Sequence, residues 1–238
     1  MEFTEKVQAF VVGTYYQLLT GKFGSRGEAA FVHATQYYAG QRGRRMAQRA
    51  IRDGKDLDWY TYNCYGEWTN SQKMIDENCT VTMEMKSMVP DAEMKIVKCP
   101  WNEQFKEMGI AGTAGVAYCT HLDIAIARGF NPYLVYEVDQ TLNNADSCVH
   151  RLKDSGFAGK PPVKRDPANM RDFSFHTAHT YWAYRDISVA VFGDEGREVA
   201  EEVLRSLEEK YGEEAGKTVM SYKNTDFNKC GSAEPEER

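Results

Sequence analysis

Val7, Phe10, Val11, Thr14 and Leu18 fall at the i, i+3, i+4, i+7, i+11 spacing of one helical face, which predicts a helix over about 4–21 capped by Thr4 and stopped by Gly21 and Gly24. Ser25 followed by Glu28 has the form of a capping box, and the apolar pattern then runs through Phe31, Ala34, Tyr38 and Met46 to Gly54 without a proline. This predicts a second, longer helix. Gly40 and Gly43 weaken its propensity and so mark a break or the close approach of another backbone.

The pattern changes after Trp59. Trp59-Tyr60-Thr61-Tyr62, Thr80 to Met85 and Glu93 to Lys98 are aromatic or alternating, and they predict three strands, the last two forming a hairpin across Val89-Pro90-Asp91. A short helix near 102–108 and a longer one near 113–128 follow, then strands at about 133–139 and 146–152 joined across Asn143-Asn144. Residues 154–170 carry three prolines and two glycines and read as a surface loop. A helical extension over 171–225 comes next. It echoes the beginning of the chain: Phe192-Gly193-Asp194-Glu195-Gly196 repeats the position of Phe23-Gly24-Ser25-Arg26-Gly27 between two helices. The expectation is an α+β fold, a largely antiparallel sheet packed with helices, with an N-terminal helical hairpin echoed by a C-terminal pair. The two pairs are expected to pack on the sheet, or one of them to reach a partner subunit. One domain is expected over 1–225, with 226–238 as a flexible tail.

Composition narrows the function. With 29 basic and 35 acidic residues the formal charge is -6, which speaks against a protein that neutralises many phosphates, so no nucleic-acid partner is expected. The basic run Arg42-Gly43-Arg44-Arg45, with Arg49 and Arg52, reads as a mostly solvated helix face. No segment approaches the roughly 20 apolar residues of a membrane span, and the first residues lack a secretion signal, so a cytoplasmic protein without a membrane partner is expected. In that compartment the six cysteines are expected to be free thiols or thiolate ligands.

The chemistry-bearing residues cluster in the middle of the chain. Cys119 and Asp123 are four apart on a predicted helix and share a face, with Gly115 one turn earlier leaving space beside them. Asp146, Cys148 and His150 alternate on a predicted strand and share a face, as do Cys99 and Trp101. A single cysteine or histidine is more often a packed side chain than a functional one, yet an Asp, a Cys and a His on one strand face suit neither core nor surface. Two chemistries use such a set: attack by a thiolate assisted by a carboxylate and an imidazole, and metal binding. Gaps of 20 and 29 residues between Cys99, Cys119 and Cys148 match no zinc signature, although a cysteine-bound zinc or iron remains compatible with the residue types. His176 and His179 lie one turn apart on a predicted helix beside Trp182 and are read as structural or pocket-lining. There is no phosphate-binding loop, dinucleotide fingerprint or serine-nucleophile elbow.

The ordered series Cys99-Pro100-Trp101, Gly115 to Asp123 with Cys119-x3-Asp123, Gly129-Phe130-Asn131-Pro132, Thr141-Leu142 and Asp146-Ser147-Cys148 resembles the L-2-amino-thiazoline-4-carboxylic acid hydrolase family. The likeness covers about 25–152, and Ala145 stands where the family pattern leads one to expect glycine. The resemblance implies an enzyme that hydrolyses a non-peptide carbon–nitrogen bond of a small cyclic amidine or amide. Cys119, Asp123, Cys148 and His150 are then the candidate catalytic residues, with Cys99, Trp101 and Asp146 as candidate substrate contacts. A homo-oligomer with a small-molecule substrate is expected. The rival reading is a small-molecule or metal-binding sensor without catalytic activity.

Overall fold

The computed structural model describes residues 1–231. The element order is α1 (Glu5–Phe23), α2 (Ser25–Arg52), α3 (Trp59–Cys64), α4 (Gln72–Asp76), β1 (Thr82–Ser87), β2 (Ala92–Lys98), α5 (Pro100–Glu107), α6 (Val116–Phe130), β3 (Tyr136–Gln140), β4 (Cys148–Leu152), α7 (Phe173–Phe192), α8 (Asp194–Tyr211) and α9 (Glu213–Ser221). The fold is α+β. Its four strands pair antiparallel in the order β1-β2-β4-β3, so β4 is central and places His150 opposite Met94 and Cys148 opposite Ile96.

The helical echo is real and has one cause in both copies. Gly24 and Gly193 sit at φ of +57° and +61°, a conformation in which glycine alone is unstrained, so each helix reverses over a single residue. The return helix then lies so close that a Cβ on Gly27 would sit 2.0 Å from the Leu19 carbonyl oxygen, and one on Gly196 would sit 2.0 Å from that of Ser188. The two corners meet where Phe23 and Phe192 stack, centroids 3.7 Å apart and planes 3° apart. The hairpins therefore pack on each other, α1 against α7 and α8, and α2 against α7, where the sequence pointed to the sheet or a second subunit. Their shared core takes in Val11, Tyr15, Phe31, Tyr38, Tyr184 and Val203.

The sheet is held elsewhere. Ala92 and Leu152 on it form a small cluster with Trp59 of α3 and Ala127 of α6. Helix α6 joins this layer to the bundle, and it does so through glycine. A Cβ on Gly43 would lie 2.0 Å from the Ile126 carbonyl oxygen, and one on Gly129 would lie 2.4 Å from that of Gly40. The glycines predicted inside α2 thus permit a close helix crossing and do not break the helix.

Several local expectations are corrected. Trp59 to Tyr62 form a helix rather than a strand, because the Asp58 carboxylate accepts the Thr61 amide at 2.8 Å and caps a turn there. The first residue of α2 is Ser25 itself, with Gly24 in the capping position and no side-chain cap. Helix α4 was not anticipated. Cys99 and Trp101 do not share a strand face: Cys99 precedes α5 and Pro100 occupies its first turn. The basic run of α2 is not a solvated face, since Arg42, Arg45 and Arg49 are buried and only Arg44 and Arg52 are exposed. Of the expected flexible tail, residues 232–238 lie outside the described residues, while Phe227, Asn228 and Cys230 are tied to α2 by hydrogen bonds to Arg45 and Gln48. Phe227 is buried and stacks on His179 with centroids 4.5 Å apart, and its carbonyl accepts a hydrogen bond from Arg45. Among the described residues no helix is long and apolar enough to cross a membrane.

Candidate active site

The helix α6 and the strand β4 meet face to face, and their polar residues meet there. Cys119 and Asp123 lie one turn apart on α6. His150, on the central strand, is buried, with Nδ1 3.8 Å from Asp123 Oδ2 and 2.8 Å from the hydroxyl of Tyr136 on β3. Its Nε2 is buried without a hydrogen-bond partner. Cys148 shares the inward face of β4 with His150.

The loop between β3 and β4 closes one side of this cluster. Thr141 is buried, and the Asn144 carboxamide oxygen, 3.1 Å from the Thr141 amide, ties the turn. The turn aims the Leu142 amide at Cys148 Sγ, 3.2 Å away, and the Asn143 Nδ2 at Cys119 Sγ, 3.3 Å away. Asn102 of α5 donates to Asn143 Oδ1 at 2.9 Å and holds that side chain in place. The space left by Gly115 is the space Asn143 fills, since a Cβ there would lie 2.3 Å from Asn143 Oδ1. Cys99 completes the set from the position ahead of α5.

Each of the three sulfurs is a thiol at rest. Burial pushes Cys99 up to about 12, and it pushes Cys119 and Cys148 up as well. The Asp123 charge adds to the rise at all three, and at Cys119 so do Cys99 and Cys148. Burial lowers the pKa of His150 despite Asp123 and Asp139 nearby, so its imidazole is neutral at pH 7. Among the described residues no group of three or more His, Cys, Asp or Glu side chains is placed to hold a metal ion.

Five of the residues singled out by sequence, Cys99, Cys119, Asp123, Cys148 and His150, are therefore brought together. Trp101 and Asp146 are not. The Trp101 indole points into the helical core, donating to Gln8 Oε1 at 3.2 Å and packing edge-on against Trp68. Asp146 lies in the exposed turn ahead of β4. His176 and His179 are fully packed inside the bundle, His179 Nε2 2.9 Å from Gln41 Oε1.

Sequence reasoning missed Tyr136, Asn102, Asn143 and Arg42. Asn143 was visible only as a turn residue, and Tyr136 as one aromatic of an alternating strand. Arg42 lies on α2 across from α6, near Asp123 and Tyr62. Next to it lies a buried ion cluster: Glu67 accepts from Arg45 at 3.1 and 2.7 Å and from Arg49 at 2.7 Å. Although burial opposes ionisation, Arg45, Arg49 and Arg42 hold the Glu67 carboxyl at about 2.

A thiol, carboxylate and imidazole cluster on a helix-to-sheet seam is the kind of site that handles a small polar molecule. A model of the L-2-amino-thiazoline-4-carboxylic acid hydrolase family matches residues 4–151, well over half of the chain, and the chain belongs to that family. The match runs from α1 to β4, so it begins earlier than the sequence motifs alone indicated and includes every residue of the cluster. Helices α7 to α9 lie beyond it. No curated protein and no solved structure matches the chain.

Proposed function

We propose that the cluster hydrolyses a carbon–nitrogen bond of a small cyclic amidine, opening a thiazoline-carboxylate-like ring. The observation that carries this reading is the meeting of Cys119, Cys148, Asp123 and His150 at one seam, inside the stretch that defines the family. An amidine carbon is resonance-stabilised and resists water. Catalysis needs a cation-stabilising carboxylate, a nucleophile and a group that moves a proton.

Asp123, with its side chain one-third exposed, is reachable by a ligand and takes the amidinium. Cys119 is the better-placed nucleophile, because it is half-buried while Cys148 is almost wholly covered. Its thiol is protonated at rest partly through the Asp123 charge. A cationic substrate against Asp123 cancels that field and adds a positive one, so the thiol ionises when substrate is present. The sulfur then bonds to the ring carbon while its proton passes to the Asp123 and His150 pair. The carbon–nitrogen bond breaks and the leaving nitrogen takes that proton. Water next adds its hydroxyl to the carbon, the bond from carbon to the Cys119 sulfur breaks, and the departing thiolate takes the remaining proton of the water. Tyr136 holds the imidazole in register for the relay.

The test is turnover of 2-amino-thiazoline-4-carboxylate, followed by mass spectrometry, for the protein and its C119A and C148A variants. We expect the C119A rate to fall by roughly a thousandfold or more and C148A to retain measurable turnover. Intact turnover in folded C119A removes the covalent route. No hydrolysis by the unaltered protein of this ring or its oxygen and nitrogen counterparts removes the reading as a whole.

A further inference from the structure

Within the described residues, Arg42 is the one buried arginine of its basic run whose guanidinium makes no hydrogen bond or ion pair. It is 91% buried, being 9% exposed, and its Nε has no partner. Among the described residues no hydrogen bond or ion pair reaches its guanidinium, whereas Arg45 and Arg49 share the Glu67 carboxylate between them. Glu67 is thus spent. The Arg165 guanidinium, close enough to be depressed by the Arg42 charge, is held by the carbonyls of Asn63 and Trp68 and adds no anion. Burial works against the Arg42 charge and the nearby Glu67 and Asp123 charges favour it, so the group stays charged, yet neither carboxylate forms an ion pair with it, and the contact of Asp123 is with His150.

A buried guanidinium whose N–H donors have no acceptor is costly, and such groups persist where a ligand supplies the missing acceptors. The planar fork of arginine fits a carboxylate by two parallel hydrogen bonds. We propose that Arg42 anchors the carboxylate of the substrate, with the amidinium on Asp123, so that the seam selects small rings carrying an anion at one end and a cation at the other. This rests on the hydrolase reading for the identity of the ring, and on the geometry of α2 and α6 for the anchor. The crossing of those helices at Gly43 and Gly129 sets the gap between the two charges. Tyr62 is near enough to Arg42 and Asp123 for their charges to act on its hydroxyl.

The experiment compares the unaltered protein with R42K and R42M, using 2-amino-thiazoline-4-carboxylate and the same ring without its carboxylate. Melting temperatures are read with and without each compound, and kcat and KM are read where turnover occurs. The preference for the acid, as a ratio of kcat/KM values, should fall by about 10- to 100-fold in R42M, chiefly through KM, and by less in R42K. R42M should lose the upward melting shift that the acid gives.

A preference that stays within twofold in R42M, with hydrolysis intact, overturns the anchor and leaves the hydrolase reading standing. An acid-dependent melting shift that vanishes in R42M, without any turnover by the unaltered protein, upholds the anchor and overturns the hydrolase reading. Neither a shift nor turnover overturns both.

Discussion

Gly40 and Gly43 lie one turn apart on the same helix, and replacing each by alanine should have opposite effects. Either change restores helix propensity worth about 1 kcal/mol. At Gly40 a Cβ meets nothing nearer than the Arg44 guanidinium at 3.4 Å, an ordinary contact with a flexible side-chain end. At Gly43 it lies 2.0 Å from the Ile126 carbonyl oxygen, 2.7 Å from the Phe130 nitrogen and 2.9 Å from the Gly129 carbonyl carbon. All three are backbone atoms of α6 or its last turn, so no rotamer change relieves them, and the two helices must separate by more than an ångström. Overpacking of this kind costs about 1–3 kcal/mol and more where backbone must shift. Urea denaturation should therefore show G40A as stable as the unaltered protein or up to about 1 kcal/mol more so, and G43A about 2 kcal/mol less stable. Because α6 carries Cys119 and Asp123, G43A should also lose turnover. Equal stability of the two variants, or a stabilised G43A, would refute the account of the crossing.

Three further outcomes follow from the same geometry. E67Q leaves two buried guanidiniums facing a neutral amide and should cost about 3–5 kcal/mol in denaturant unfolding, whereas a loss below about 1 kcal/mol would mean that the Glu67 carboxylate does not carry the charge of Arg45 and Arg49. Burial holds His176 at about 3 and His179 well below the ordinary histidine value, so the unfolded chain binds more protons than the folded one below about pH 6.5 and stability falls as pH drops through that point. His176 alone should remove about 2 kcal/mol by pH 5, and an unchanged urea midpoint between pH 7.5 and pH 5 would contradict this. Gly115 has ordinary helical backbone angles, so G115A should fold normally while its new Cβ displaces Asn143 from Cys119. Turnover should drop roughly tenfold or more, and full activity would show that the Asn143 contact has no part in the reaction.

The amino-acid pattern by itself determined the helices α1, α2 and α5 to α8, the β1–β2 hairpin and the two strands after α6, because each has a long period or strong punctuation that acts over neighbouring residues. It also determined the helical echo, since a glycine between two helical runs has one economical conformation. The motif series of Cys99, Cys119, Asp123 and Cys148 carried the family. Short elements were not legible there: α3 depends on one capping carboxylate, and α4 has five residues. Tertiary structure alone decided what the polar residues do. Arg42, Arg44 and Arg45 look alike in the chain, yet one is buried without a partner among the described residues, one faces solvent and one faces Glu67. Likewise Asp146 and Asp123 look equally suited to a site, and only the second stands opposite His150. Local sequence sets periodicity and turn geometry, whereas the partner of a charge depends on which distant backbone is close enough to bury it. Here that was settled by Gly43 and Gly129, where the absence of a side chain lets α2 and α6 approach, so that the Arg42 and Asp123 charges influence each other without pairing.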